Sequence, residues 1–213
     1  MMTRTRRSAG LHQARSGARG CLTLLAIAGL LVTASSTSTA ATRQLEGVTF
    51  AQTIETGPTD QTPLVLNGLG LMRYRVLFRG YVAALYLAQG TPPSKALEDV
   101  ARRIEIEYFW SLTAARLAKV TIEGIEKNVP ASEMRALEPR IRRFNALYRD
   151  IAPGDRYALT YTPGRGTELA LNGRALGTIE GADFGRAVFA IWLGTEPFDA
   201  NLKDELLNPK TAR

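Results

Sequence analysis

The stretch from Leu64 to Leu87 combines residue types that could hold an anionic ligand. It places arginines and tyrosines among apolar residues: Arg73, Tyr74, Arg75, Arg79, Tyr81 and Tyr86. A guanidinium can donate two charge-assisted hydrogen bonds to an anion, and a phenol is a neutral hydrogen-bond donor. Together they could hold a carboxylate or a phenolate on an apolar strand. The alternative interpretation is structural. In that case Arg75 and Arg79 face solvent, and Tyr81 and Tyr86 lie at the edge of the core.

Glycines and alternating apolar residues indicate how this stretch folds. Leu64–Leu71 and Arg73–Leu87 are predicted to form a strand pair, or else one long bent strand. Gly68, Gly70 and Gly80 are the predicted positions of bulges or of close backbone approach. The way the strands bend therefore decides which arginines and tyrosines share a face.

The rest of the chain carries strand and helix patterns without a regular β-α-β order. Further strands are predicted over Val48–Ile54, Arg103–Trp110, Arg156–Thr162, Glu168–Leu171 and Arg174–Ile179. Helices are predicted over Ser94–Val100, from a cap at Ser111 or Thr113 to Asn128, over Ser132–Tyr148, from Gly181 to Leu193, and over Asn201–Leu207. Asn172-Gly173 is the strongest short hairpin signal. This arrangement predicts an α+β fold with an antiparallel sheet.

The first forty residues have the pattern of a secretory signal peptide. Five arginines precede an apolar run from Cys21 to Val32, and small residues lead up to Ala40. The run is shorter than the roughly 20 residues that span a bilayer. We therefore expect cleavage after Ala40, a periplasmic or secreted protein, and no stable membrane anchor after cleavage. An uncleaved membrane anchor is the alternative.

Cleavage would limit the chemistry of the mature chain. His12 and Cys21 are the only histidine and the only cysteine, and both lie in the predicted signal peptide. Ser-His-Asp catalysis, cysteine nucleophiles, disulfides, and histidine or thiolate metal sites would then be excluded, so we expect no metal and no cofactor. Of 27 basic and 20 acidic residues, 22 basic and 20 acidic would remain. This near balance argues against a nucleic-acid partner.

A series of short motifs runs through the mature chain. They are Leu66-Asn67-Gly68-Leu69-Gly70, Tyr81-Val82-Ala83-Ala84-Leu85-Tyr86-Leu87, Glu123-Gly124, Pro153-Gly154-Asp155, Tyr161–Thr167, Gly181-Ala182-Asp183-Phe184, and Ile191-Trp192-Leu193-Gly194 followed by Pro197. Their order and spacing, from roughly Leu45 to Leu207, resemble the chalcone isomerase-like family in its bacterial exported branch. Plant members of that family include chalcone isomerases, which close a flavanone ring by intramolecular oxa-Michael addition, and plastid fatty-acid-binding proteins.

The resemblance implies an open-faced β-sandwich. In this fold a large antiparallel sheet is backed by a layer of helices, and a ligand cleft lies between them. We accordingly predict a signal peptide over residues 1–40 and one chalcone isomerase-like domain over residues 47–208. The Ser/Thr-rich composition around the cleavage site predicts a flexible mature N-terminus over residues 41–46.

Two site residues carry over from the family pattern. Arg73 matches the family's ligand-holding arginine if Met72 is one extra residue. Tyr81 falls at the position where isomerases have a threonine, and it is similar to the fatty-acid-binding members, in which an arginine and a tyrosine hold the carboxylate. The isomerases' remaining catalytic residues find no match, and their positions fall near Arg116, Glu123 and Ile191.

These observations favour non-catalytic binding of a fatty acid or a similar amphipathic carboxylate, with Arg73 as the anion anchor and Tyr81 as a hydrogen-bond donor. One alternative is an isomerase, an intramolecular lyase acting on a phenolic or enone substrate. Another is an envelope structural or interaction module without a small ligand. In one straight strand, eight residues span about 26 Å. Arg73 and Tyr81 can therefore hold one carboxylate only if the strand bends at Met72 or Gly80; otherwise they contact opposite ends of a long ligand, or the site is vestigial.

Overall fold

The computed structural model of the protein describes residues 41–55, 63–74 and 78–208. The predicted signal peptide over residues 1–40, with its cleavage site, lies outside the described residues, as does Arg75. In the described ranges, no helix has both the length and the apolar character needed to cross a membrane.

Nine strands and four α-helices make up the described part of the chain. The strands are β1 (Thr42–Leu45), β2 (Val48–Ala51), β3 (Thr53–Ile54), β4 (Leu64–Tyr74), β5 (Phe78–Ala88), β6 (Arg102–Tyr108), β7 (Arg156–Thr162), β8 (Gly166–Leu171) and β9 (Arg174–Ile179). The helices are α1 (Ala114–Asn128), α2 (Ala131–Asn145), α3 (Ala182–Leu193) and α4 (Ala200–Leu207). Where the sequence predicts a helix over Ser94–Val100, the chain forms only a short 3-10 helix at Pro93–Lys95, followed by turns and bends.

Seven strands form one antiparallel sheet in the order β3-β4-β5-β6-β7-β8-β9. Each strand pairs with the strand next to it in sequence, and α1 and α2 lie in the connection between β6 and β7. The predicted Asn172-Gly173 hairpin joins β8 to β9, and both of its central residues have positive φ, as a type I′ turn requires. The predicted α+β fold with a large antiparallel sheet and a layer of helices is therefore confirmed.

The sheet is covered on both faces along β5, which is buried from Tyr81 to Leu87. Side chains alternate along a strand, so β5 contributes to two separate cores. One core, here called the helix face, includes Tyr81, Ala83, Leu85 and Leu87 together with residues of all four helices. The other, the hairpin face, includes Val82, Ala84 and Tyr86 together with Val48 and Phe50 of β2.

The β1–β2 hairpin covers the hairpin face and begins inside the segment predicted to be flexible. β1 pairs with β2 along its whole length, from Thr42↔Ala51 to Leu45↔Val48. Glu46 and Gly47 form the turn, with φ of 52° and 85°. Two consecutive positive φ values are those of a type I′ hairpin turn. Residues 41–46 are thus largely an ordered strand, because the Glu46-Gly47 turn allows β1 to pair where composition alone suggests a loose end.

Two of the four helices cross closely on the helix face. A Cβ at Gly124 of α1 would lie 3.0 Å from side-chain carbons of Ile191 on α3 and 2.8 Å from Phe198. The helix itself begins at Thr113, whose hydroxyl accepts a hydrogen bond from the Arg116 backbone N–H. The Glu123-Gly124 motif therefore has a packing role, since only glycine lets α1 and α3 approach to this distance.

The helix α4 is seated on the glycine pair of β4. A Cβ at Gly68 would overlap the backbone carbonyls of Glu205 and Leu206, and the Asn67 side chain donates a 2.6 Å hydrogen bond to the Leu206 carbonyl. The Glu205 carboxylate in turn accepts from the Leu71 backbone N–H at 3.0 Å. The glycines and the asparagine of this motif thus serve to dock α4 against the sheet.

Candidate functional site

Three residues from neighbouring strands meet on the helix face at one end of the sheet. Tyr81 pairs with Met72 of β4 and with Tyr108 of β6 in the backbone register. Tyr81 is 8% exposed, and its ring centroid lies 5.5 Å from that of Tyr108. Met72 is half-buried and packs against the same core. Residues paired across antiparallel strands point to the same face, so Met72 flanks the Tyr81 ring on one side and Tyr108 on the other.

The Tyr81 hydroxyl has a single hydrogen-bond partner in the described chain. Trp192 of α3 donates its indole N–H to this hydroxyl at 3.1 Å. The phenolic oxygen therefore acts as an acceptor, and its own proton has no acceptor among the described residues. Tyr81 thus presents a buried O–H donor between the sheet and the helices.

A chain of tyrosine rings continues from Tyr108 toward α2. Tyr108 and Tyr157 have centroids 6.4 Å apart, and Tyr157 and Tyr148 have centroids 5.5 Å apart. The Tyr148 hydroxyl shares a 2.8 Å hydrogen bond with Thr121 of α1. This aromatic row is largely apolar, with hydroxyls placed at intervals, which is the composition usual for small-molecule sites.

Burial controls the ionisation of these phenols. Removal from water raises the pKa of Tyr81 far above its ordinary value, the Trp192 hydrogen bond partly offsets this rise, and the Asp199 carboxylate adds to it. Burial likewise raises the pKa of Tyr108. Both phenols therefore stay protonated at physiological pH, and they act as hydrogen-bond donors instead of bases.

Arg73 lies on the hairpin face, away from Tyr81. Its guanidinium is 4.0 Å from the Glu46 carboxylate, which also receives Arg79 at 3.1 Å, and its side chain is 51% exposed. The neighbour Leu71 belongs to the hairpin-face core, as the alternation of the strand requires. The structure therefore does not bring the Arg73 guanidinium and the Tyr81 hydroxyl into one site.

The pairing of β4 with β5 explains why Arg73 does not share a face with Tyr81. The predicted strand pair is confirmed over the single bent strand, but β4 continues to Tyr74, whose backbone pairs with Phe78 at the start of β5. Tyr81 pairs with Met72, so Arg73, the next residue of β4, points to the other face. Beyond this pair the register shifts because β5 has one extra residue, Gly80, which is one of the predicted bulge positions. Arg73 and Tyr81 thus lie on adjacent antiparallel strands, so the distance along one straight strand does not apply, and the two side chains point to opposite faces.

An ion-pair network on the hairpin face is a second cluster of charged residues. Arg156 of β7 contacts Glu107 at 2.6 Å and Glu105 at 3.2 Å, and Glu105 also receives Arg103 at 2.9 Å. The Arg156 guanidinium lies 4.3 Å from the centre of the Phe50 ring and donates to the Thr49 carbonyl. The alternating glutamates of β6 therefore attach the β1–β2 hairpin to the sheet.

An open cleft of about 550 Å³ lies near the start of β6, between the 3-10 segment and the first turns of α3. Its lining residues are Ser94, Leu97, Glu98, Asp99, Ala182, Asp183 and Arg186. Asp183 is held by Arg140 in a two-pronged pair at 2.6 and 2.7 Å, and Arg186 pairs with Glu133 at 3.1 Å. The cleft is separated from the Tyr81 site by the length of β6, about 20 Å.

Behind this cleft lies Arg102, a fully buried arginine. Its guanidinium is sandwiched between the rings of Tyr161 and Phe189, 4.4 and 4.6 Å from their centroids, and donates to the backbone carbonyls of Glu98 and Val100. Burial lowers the pKa of Arg102 to about 10. Arg102 therefore fixes the 3-10 segment to the sheet. The sequence did not predict this residue, because strand alternation indicates which face a side chain points to but not that a charged side chain is buried there.

Comparisons with known proteins agree with this architecture. A search of curated proteins finds no match. Among solved structures, a fatty-acid binding protein of Arabidopsis thaliana has a TM-score of 0.58 and 18% sequence identity, covering 79% of this chain and 96% of that chain. At that identity the likeness shows a shared fold. A family model described as chalcone isomerase-like matches residues 42–208. The chain therefore belongs to the chalcone isomerase-like family.

Proposed function

We propose that this protein binds an amphipathic ligand of the fatty-acyl type without catalysis, with the ligand's polar end at Tyr81 between the sheet and the helices. The observation that carries this proposal is the buried Tyr81 hydroxyl, which accepts a hydrogen bond from Trp192 and whose proton has no acceptor in the described part of the chain. The aromatic and aliphatic residues of the helix face supply the apolar surroundings that an acyl chain requires.

The structural neighbour supports the same ligand class. That plant protein is named as a fatty-acid binding protein, and it shares the fold of this chain. The family pattern places a ligand-contacting residue at Tyr81, and the structure gives Tyr81 a buried position facing the helices. Extension of fatty-acyl binding to this protein is our proposal.

The rim of the Tyr81 site provides a route of entry. Met72 and Trp192 are both half-buried, and they lie on β4 and α3 on either side of Tyr81. Methionine has three rotatable bonds and adapts to irregular ligand surfaces. Movement of these two side chains would open Tyr81 to solvent without disturbing the backbone pairing of the sheet.

The isomerase alternative receives less support from the geometry. Proton abstraction by Tyr81 would need a lowered phenol pKa, whereas burial and Asp199 raise it. Arg73 lies on the other face of the sheet and would not contact a substrate at Tyr81. A chalcone panel that shows turnover lost in Tyr81→Phe would restore this alternative.

Export is a second part of the proposal. We expect the chain to be cut after Ala40 and to act in the periplasm or outside the cell. The proposal is supported by the arginines, the apolar run and the small residues of the first forty positions. Mass measurement of the protein recovered from a periplasmic extract should give a chain beginning at Ala41; recovery only of the uncut chain from the cytoplasm would contradict export.

The ligand proposal is tested by native mass spectrometry and by displacement of a fluorescent acyl probe. The variant Tyr81→Phe should weaken binding, because it removes the buried donor. The matched control is Tyr86→Phe, since Tyr86 is a fully buried tyrosine of the same strand that faces the hairpin. Absence of any bound or displaceable lipid in the wild-type protein would favour a structural or interaction module without a small ligand.

A further inference from the structure

Charged groups near the Tyr81 site are arranged unfavourably for an anion. The Asp199 carboxylate is close enough to Tyr81 to raise the pKa of the phenol further. This carboxylate accepts from the backbone N–H groups of Asn201 and Leu202 as the cap of α4. A second carboxylate placed at Tyr81 would therefore be repelled by Asp199.

The basic residues around this end of the sheet are already engaged elsewhere. Lys203 of α4 donates to the carbonyl of Gly194 at 2.8 Å. Arg73 and Arg79 share Glu46 on the hairpin face. Apolar and aromatic residues of the helix face pack around Tyr81, and the buried Arg102 of the same face lies at the opposite end of β6. A carboxylate buried at Tyr81 would have none of these cations as its partner, which costs several kcal/mol.

Met72 occupies the position from which a cation could reach Tyr81. It pairs with Tyr81 in the backbone register, and its thioether lies over Gly80, where a Cβ would approach the sulfur to 2.9 Å. A thioether is a weak hydrogen-bond acceptor and carries no charge. The polar groups offered to a ligand at this point are therefore the Tyr81 O–H and the Trp192 N–H.

We infer that the Tyr81 site selects an acyl ligand with an uncharged head group that accepts hydrogen bonds, such as an ester, an amide or an alcohol, over the corresponding carboxylate. The inference rests on the proposed function and narrows its ligand class. The Tyr81 O–H donates to the ligand oxygen, and the apolar surroundings of the helix face impose no charge penalty on a neutral group.

The test compares a fatty acid with its own methyl ester, which has the same chain and differs in charge. Dissociation constants are measured by displacement of a fluorescent acyl probe from the full chain at pH 8 and below the concentrations at which micelles form. The ester is expected to bind at least about tenfold more tightly than the ionised acid. Equal affinity, or tighter binding of the acid, would overturn the inference and leave the proposed function standing.

A gain-of-function variant gives the second arm of the test. Met72→Arg places a guanidinium beside Tyr81 and should reduce or abolish the preference for the ester, because it tightens binding of the acid by about tenfold relative to the ester. Arg73→Met is the matched control, because it removes the next arginine from the opposite face and should leave both affinities unchanged. The wild-type comparison remains decisive if Met72→Arg does not fold. If neither ligand binds the wild-type protein, the proposed function and this inference both fail.

Discussion

Met72 lies directly opposite Tyr81 across the β4–β5 hairpin, while the adjacent Arg73 reaches Glu46 on the other face of the sheet. The register of the β4–β5 pair shifts between these two neighbours, where β5 has one extra residue, Gly80. Successive side chains of a strand point to opposite faces of the sheet. The residue opposite Tyr81 therefore decides whether a cation lies beside the phenol. The side chain opposite Tyr81 is therefore an uncharged thioether, and it supplies no cation to the phenol.

Replacement of Gly68 should destabilise the protein through α4. In Gly68→Ala, the new methyl group would overlap the carbonyls of Glu205 and Leu206, so α4 must shift away from β4. We expect a loss of about 2–3 kcal/mol in the free energy of unfolding, measured by urea denaturation. Gly80→Ala is the comparison, because the nearest atom there belongs to the flexible Met72 side chain. A larger loss for Gly80→Ala than for Gly68→Ala would contradict this account.

The prediction of the fold succeeded where periodicity and turn chemistry act locally. The Asn172-Gly173 hairpin and the helix α3 were recognisable from the sequence, because each depends on residues that lie only a few positions apart. The β1–β2 hairpin was missed, since Glu46-Gly47 is a weaker turn signal than Asn-Gly and β1 is short and close to the Ser/Thr-rich stretch before Ala40.

The sequence indicated where Tyr81 lies in the fold but not which residues surround it, and its role in ligand binding stays a prediction. Tyr81 does face the helices, as the family pattern implies. Trp192 is 111 positions away, and only the folded chain brings it to Tyr81. The irregularity at this point lies at Gly80, one of the positions where the sequence predicts a bulge. The pairing of Tyr81 with Met72 could not be predicted locally, because it depends on how β4 and β5 pair along their length. Since Met72 is the residue opposite Tyr81, its neighbour Arg73 points to the other face.

Truncation of Arg102 should be strongly destabilising. In Arg102→Ala, the chain loses two hydrogen bonds to the 3-10 segment and the packing of the guanidinium between Tyr161 and Phe189. We expect a loss of about 3–5 kcal/mol in the free energy of unfolding. Arg102→Met keeps much of the buried volume without the charge and should lose less. Equal losses for the two variants would show that the charge and its hydrogen bonds, and not the packing, determine stability here.

Alkaline pH should unfold the protein through its buried tyrosines. Tyr81, Tyr108 and Tyr148 all have a pKa raised by burial above the ordinary value of 10.0. The folded state then holds their protons more tightly than the unfolded state, so their contribution is fully present below pH 10 and is lost as the pH rises above that value. Arg102, whose pKa is lowered to about 10, acts in the opposite direction, but it is a single group against several tyrosines.

The measurement is the free energy of unfolding in urea at pH 8, 10 and 11, values chosen around the ordinary tyrosine pKa of about 10. The free energy of unfolding should fall across this series. The ultraviolet absorbance of tyrosinate in the folded protein should rise at a higher pH than it does in the unfolded chain. Tyr148→Phe should reduce the decline between the two higher pH values. A stability that is constant to pH 11 would contradict the burial of these phenols.

The Arg156 network should hold the β1–β2 hairpin against the sheet. In Arg156→Ala, Glu105 and Glu107 lose a partly buried partner, and Phe50 loses its guanidinium contact. We expect a loss of about 2 kcal/mol in stability and faster proteolysis near the hairpin. The control is Arg142→Ala, an exposed pair with Glu138 on α2, which should have no measurable effect. Equal behaviour of the two variants would show that the network does not anchor the hairpin.

The location of the bound ligand is tested most directly by photo-crosslinking of the wild-type protein to a fatty acyl ester that carries a diazirine, followed by peptide mapping. We expect labelling of Met72, Tyr108 or Trp192 that an excess of unlabelled ester removes. Competable labelling confined to the hairpin face, around Phe50 and Tyr86, or the absence of any competable label, would contradict the placement of the ligand between the sheet and the helices.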